Sequence, residues 1–336
     1  MAQAVALPFM EENSKSCLDA PVAVAVVIPC YKVTQHICEV LCKIGAEVKH
    51  IYCVDDCCPE DSGKYIETHC RDARVTVLYN SRNLGVGGAT MVGYRRALQD
   101  SAQIVVKVDG DGQMDPALIP RFIKPISAER ADYTKGNRFF KAESLRSMPA
   151  ARLLGNAVLS FIAKLSTGYW QIVDPTNGYT AIHARVLEQL PMDKISSRYF
   201  FESDMLFRLN TLGAIIEDIP MDAVYGDERS NLKIHKIIGE FLFKHIVNFV
   251  KRILYNYFLR NFSIASVELV AGLLLLGFGS IFGAFKWMES ISTGVPVTAG
   301  TAMLASLPVL LGIQLLLSFL AYDTRSWPQA PLHKRL

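Results

Sequence analysis

The sequence predicts an α/β protein built on an open, mostly parallel sheet, followed by helices that lie on and cross a membrane. Three observations carry this. Short apolar, β-branched runs alternate with helical patterns, polar motifs follow those runs rather than interrupt them, and two long stretches in the C-terminal part are almost free of charge.

The first run, Val-Ala-Val-Ala-Val-Val-Ile over 22–28, ends at Pro29 and reads as a strand buried on both faces. Ile51 to Val54, Val75 to Leu78 and Ile104 to Val108 repeat the pattern, with helical patterns over 36–47 and 88–99. Ligands of such sheets bind beyond the carboxyl ends of the strands. Pro29-Cys30-Tyr31, Asp55-Asp56, Asn80 to Gly88 and Asp109 to Gln113 each fall at such an end, so the motifs converge on one crevice.

Residues 263–286 and 298–322 are each long enough, at about 1.5 Å per residue, to cross a hydrocarbon layer of roughly 30 Å. Lys244, Lys251, Arg252 and Arg260 precede the pair and Arg325, Lys334 and Arg335 follow it, whereas the linker holds Lys286. The positive-inside bias therefore puts both termini and the main domain on the cytoplasmic side of an inner membrane. Residues 236–262 mix aromatic and aliphatic side chains with spaced bases. They fit helices lying in the interface, or an amphipathic helix packed on the core. The expected divisions are an extension over 1–20, a main domain over 21–235, the interfacial segment 236–262, the two spans, and a tail over 323–336.

The start of the chain lacks the basic segment of a cleavable signal, so the eight cysteines, all between Cys17 and Cys70, are expected to be reduced. A net charge of +3 and the lack of a basic run interleaved with aromatics argue against nucleic acid as a partner.

Asp109 and Asp111, with Gln113 at the same spacing, bring oxygen ligands to one point after a strand. A divalent cation such as Mg²⁺ or Mn²⁺ takes one or two carboxylates plus substrate phosphates, and a diphosphate needs a cation to approach these acids. Standing alone, an Asp-x-Asp is more often a solvated turn. Asp55 and Asp56 can accept from a base or ribose, or cap a turn. Cys57-Cys58 has no partner pair at metal-ligand spacing. Asn83 to Gly88 opens a helix whose amides can meet phosphate or sugar. It departs from the dinucleotide fingerprint, because Thr90 stands at the third position and the motif follows the third strand.

Together these motifs resemble glycosyltransferase family 2, and more closely its polyprenyl-phosphate branch, over roughly residues 22–235. Val26 to Tyr31 is similar to the family's opening strand and nucleotide loop, Val54-Asp55-Asp56 to its diacid, Asn80 to Ala97 to its Asn-x-Gly helix start, and Asp109 to Gln113 to its metal motif. The two-helix tail looks like that of bacterial members. The resemblance implies a GT-A type, Rossmann-like fold and inverting transfer of sugar from a nucleotide donor to a polyprenyl phosphate. Pro29, Tyr31, Asp55, Asp56, Gly87, Asp109, Gly110, Asp111 and Gln113 would bind the donor, with Asp109, Asp111 and Gln113 on the metal.

Gly136-Asn137-Arg138 and Asp174 to Tyr179 resemble later family segments. They imply Asp174 as a catalytic base, although it can equally orient the sugar or hold an arginine; Asp111 is the other catalytic candidate. Arg138, Arg208, Arg229 and Lys233 are candidate partners of the acceptor phosphate, each equally readable as a surface base. Two segments depart from the family: Tyr31-Lys32-Val33 lacks the usual loop carboxylate, and Tyr225 to Ser230 matches only loosely. A processive polysaccharide synthase would carry Gln-x-x-Arg-Trp, yet none of Trp170, Trp287 and Trp327 follows an arginine. A non-catalytic nucleotide-sugar-binding adaptor is the third reading. Gly272, Gly277, Gly279 and Gly283 offer small-residue contacts for a homo-oligomer. Sugar, nucleotide, choice of metal and polyprenol length stay open.

Overall fold

The computed structural model describes residues 22–140, 150–222 and 234–336. The expected extension over 1–20, Arg229 and Lys233 lie outside the described residues.

The strands are β1 (Val24–Cys30), β2 (Val48–Asp55), β3 (Val75–Tyr79), β4 (Ile104–Lys107), β5 (Tyr133–Asn137), β6 (Thr180–His183) and β7 (Ile216–Pro220). They form one seven-stranded sheet in the order β3-β2-β1-β4-β6-β5-β7. The first four are mutually parallel, with Val26 opposite Ile51 on one side and Val106 on the other. β6 runs antiparallel to both β4 and β5, and β7 is parallel to β5.

The main-domain helices are α1 (Ile37–Cys42), α2 (Ser62–His69), α3 (Val86–Gln99), α4 (Ile119–Ser127), α5 (Ala150–Thr167), α6 (Ala184–Glu188) and α7 (Phe201–Leu212). Strand alternation explains the continuous apolar runs. Val24, Val26 and Ile28 enter a layer with Ile37, Val40 and Phe122, while Ala25 and Val27 enter another with Tyr94, Ala97 and Met205. At Gly93 a Cβ would come within 2.3 Å of Val27, so α3 lies against β1 only because that position has no side chain. The helix expected over 36–47 is shorter, because the chain leaves the helix at Lys43 and enters β2 at Val48.

The C-terminal part consists of α8 (Ile234–Leu254), continued by a π-helical turn over Tyr255–Arg260, then α9 (Ile264–Thr293) and α10 (Ala299–Arg325). The last two are long and apolar enough to cross a membrane. Within 236–262, α8 packs on the main domain, the second of the two readings. Its polar side packs inward, with Ser166 Oγ and His245 Nδ1 2.7 Å apart and Asn248 donating to Asp204 at 3.3 Å. Leu242, Phe243, Ile246, Val250 and Leu254 stay exposed on the other side. Of the four glycines noted as small-residue contacts, Gly272 and Gly279 lie at the α9–α10 contact within the chain: a Cβ on Gly272 would meet Leu316, and one on Gly279 would lie 2.7 Å from the Ala305 carbonyl. Gly277 meets nothing within 4 Å.

The tail returns to the main domain. Buried Asp132 accepts from the backbone amides of Leu332 (2.8 Å), His333 (2.9 Å) and Ile215 (2.8 Å). The His333 ring stacks on His183 at 4.3 Å, and burial pushes His183 down to about 4, so this imidazole is neutral near pH 7.

Candidate active site

The carboxyl ends of β1, β2 and β4 open on a crevice of about 760 Å³. Pro29, Tyr31, Asp56, Asp109, Gly110 and Asp111 line it, as does the start of α3 at Gly85, Val86 and Ala89. Lys32, Arg198 and Tyr199 complete the wall and were not anticipated. Lys32, one residue before Val33, lies in the opening loop that lacks the usual carboxylate. Its backbone is left-handed (φ 59°), and its amide donates to Cys58 Sγ at 3.1 Å.

The diacid divides into two structural roles. Asp55 does not face the crevice, because one of its oxygens accepts from the Cys58 amide at 2.8 Å and the other from the Gly63 amide at 2.6 Å, which corrects its assignment to the donor. Asp56 does line the crevice, yet its carboxylate accepts from Asn80 Nδ2 (2.8 Å) and from the amides of Leu84 (2.8 Å) and Gly85 (2.7 Å). It holds the loop before α3 against β2. Gly85, with φ 82°, adopts a turn that favours glycine. Gly87 and Gln113 are not part of the lining: a Cβ on Gly87 would lie 2.5 Å from the Ser196 carbonyl, and the Gln113 amide donates to Asp111 Oδ1 at 3.0 Å.

Behind the crevice lies a buried charge network. Lys107 Nζ donates to Asp109 Oδ1 at 2.7 Å and to the Gly178 carbonyl at 3.2 Å, with Glu202 at 3.8 Å. Burial alone would lower its pKa, but Asp109 and Glu202 outweigh it and hold the amine above the ordinary lysine value. Lys135, which donates to the Asn177 carbonyl, is pushed down to about 8 by burial. Burial raises Glu202 and lifts Asp218 to about 6. A lysine in the apolar run Ile104-Val105-Val106-Lys107 was the available signal, since an unpaired lysine is almost never fully buried.

Asp174 is buried and fully engaged. Arg138 grips it through Nε (2.7 Å) and Nη2 (3.1 Å), and Thr176 and Asn177 donate to it as well. This geometry contradicts a base open to substrate and matches the arginine-holding alternative. Arg208 is not a crevice residue either, since it pairs with Asp204 at 3.3 Å and donates to the Lys194 carbonyl.

Asp109 and Asp111 suit a hard divalent ion that completes its shell with phosphate oxygens. Among the described residues no group of three His, Cys, Asp or Glu side chains could hold a metal. A second cavity, of about 740 Å³, lies between α9 and α10, lined by Lys286, Trp287 and small or apolar side chains without a carboxylate.

Residues 25–191 match the model of Glycosyl transferase family 2. The chain carries a family 2 glycosyltransferase domain. It is 28% identical over 221 residues to an undecaprenyl-phosphate mannosyltransferase of Micrococcus luteus, a match covering 65% of this chain and 90% of that one. It is 32% identical over 152 residues to a UDP-N-acetylglucosamine–dolichyl-phosphate N-acetylglucosaminyltransferase of Methanococcus voltae, covering 45% of this chain and 60% of that one. The family 2 domain also shares its fold with glucosyl-3-phosphoglycerate synthase of Mycobacterium tuberculosis, crystallised with Mn²⁺, UDP and phosphoglyceric acid. The TM-score is 0.50 at 18% identity, over 69% of this chain and 78% of that one. The mostly parallel mixed sheet thus has the expected GT-A type architecture.

Proposed function

We propose that this glycosyltransferase moves a sugar from a UDP- or GDP-sugar to a polyprenyl phosphate at the cytoplasmic face of a membrane, with inversion at the anomeric carbon. The observation that carries the reading is the pairing of Asp109 and Asp111 in one crevice at the end of β4. The named activities of the two relatives support a polyprenyl phosphate as acceptor.

Asp109 and Asp111 would hold the cation, Mg²⁺ or Mn²⁺, which when bound would neutralise the diphosphate and stabilise its departure. Lys107 fixes one Asp109 oxygen from behind, which keeps the carboxylate oriented without solvent. The α3 start lies beside the same crevice, where backbone amides and the helix dipole favour phosphate. Arg138, aimed by Asp174, is the cation we assign to the acceptor phosphate. A phosphate monoester, with a second pKa of about 6, is already largely ionised at neutral pH and needs no protein base.

The exposed apolar side of α8 supports contact with the bilayer surface, and α9 and α10 support anchoring in it. Docking of the tail on the main domain favours both ends of the hairpin lying on one side, as the basic residues indicate. The purified enzyme should be incubated with radiolabelled UDP- or GDP-sugars, undecaprenyl phosphate and Mg²⁺ or Mn²⁺. Label in the lipid-phosphate fraction supports the proposal; label in polymer would indicate a processive synthase, and no transfer with any donor an adaptor.

A further inference from the structure

Asp323, near the end of α10, lies far in sequence from every residue of the crevice, yet it is almost fully buried and carries the densest set of side-chain bonds in the C-terminal part. Arg252 of α8 donates to both of its oxygens, at 2.6 and 3.0 Å, and Tyr257 of the π-helical turn donates at 2.6 Å. The fourth donor comes from the family 2 domain: Trp170 Nε1 reaches Asp323 Oδ2 at 2.9 Å. Arg252 also donates to the Leu165 carbonyl at 2.8 Å. One carboxylate therefore joins α10, α8 and the loop over 168–179.

That loop leads directly to the reacting side. Its first residue, Gly168, is left-handed (φ 79°), and a Cβ there would lie 2.8 Å from Arg252 Nη1, so the loop is pressed against the guanidinium. Four positions after Trp170 comes Asp174, which holds Arg138. The carbonyls of Asn177 and Gly178 then accept from Lys135 and Lys107, and Lys107 holds Asp109. Well-packed apolar residues can stabilise as well as a sealed ion pair does, so the pair suits a device that sets geometry.

We infer that Asp323 is a positioning residue: through Trp170 it sets the loop that carries Asp174, and so fixes Arg138 relative to the end of the second apolar helix. The acceptor phosphate arrives at the height of the membrane surface, and the apolar helix is the part of the chain referenced to that surface. Tying the loop to α10 places the receiving arginine at a constant depth. The kinetic part of this inference rests on the function proposed above.

Trp170→Phe tests it: an aromatic ring remains, the N–H is lost together with the five-membered ring that carries it, and the Arg252–Asp323–Tyr257 bonds stay in place. The full-length enzyme in detergent should keep its KM for the nucleotide sugar. Its KM for undecaprenyl phosphate should rise about tenfold, the equivalent of one lost hydrogen bond to a charged group. Backbone amides over 171–179 should exchange with deuterium about fivefold faster or more, while those of α10 stay as in the wild type. Exchange over 171–179 that matches the wild type overturns the inference. If the wild type transfers no sugar to any lipid phosphate, the proposed function fails, and the exchange measurement still decides the positioning role.

Discussion

The crevice and the junction at Asp323 both hold charge away from bulk water, but they do so differently. In the crevice, Asp109 and Asp111 line an open wall while Lys107 supports Asp109 from the interior. At the junction, Asp323 and Arg252 are enclosed on all sides, and four donor groups converge on one carboxylate. A charge backed on one side and reachable on the other can act on a ligand; a charge sealed among its own partners can only hold elements in place.

The largest effect should come from the open side. Asp111→Asn removes a carboxylate where the donor diphosphate would bind, and kcat for transfer into lipid should fall by about 100-fold or more. The melting curve should be unchanged; near-normal transfer would remove Asp111 from the site.

Next comes the sealed side. Arg252→Ala leaves Asp323 without its guanidinium and should cost about 3–5 kcal/mol in denaturant unfolding. Combining Arg252→Met with Asp323→Leu should recover part of that stability, because apolar packing replaces the pair while Tyr257 and Trp170 lose their acceptor. If the single and double variants unfold alike, the junction is not the buried pair described.

A smaller loss is expected where the crevice wall is tightest. Gly87→Ala forces a methyl toward the Ser196 carbonyl and Phe201. It should cost about 1–3 kcal/mol and displace Arg198 and Tyr199. Weaker binding of the donor nucleotide, UDP or GDP, by calorimetry would follow from the proposed function, and unaltered stability would count against the close contact.

The smallest effect concerns pH. Burial raises the Asp218 carboxyl to about 6, so the folded state holds this proton more tightly than the unfolded chain does. Its contribution is complete below the ordinary carboxylate range and is lost as pH rises through about 6. Urea unfolding of Asp218→Asn between about pH 4 and 7 should lack that decline, and a decline equal to the wild type's would assign it elsewhere.

The parallel half of the sheet was legible because each strand is a continuous apolar run whose functional residues follow it in sequence. Asp109, Asp111, Asp56 and Tyr31 therefore met in the crevice as expected. The antiparallel β6 carried no comparable mark, and for Asp55, Asp174 and Arg208 the sequence left several roles open. A carboxylate in a motif reads the same whether it faces a ligand, a backbone amide or an arginine. Arg198 and Tyr199 sit in a segment with no periodic pattern, and the Gly87 contact brings that segment to the crevice.

By itself, then, the sequence determined the α/β alternation, the crevice at the strand ends and the two apolar helices, because all three follow from local patterns of side-chain polarity. Tertiary structure alone decided which carboxylates remain at the crevice wall. It also decided that Asp323 would meet Trp170 and Arg252, and that Asp132 would anchor His333. These partners lie far apart along the chain, and only folding brings their charges and hydrogen-bonding groups within reach of one another.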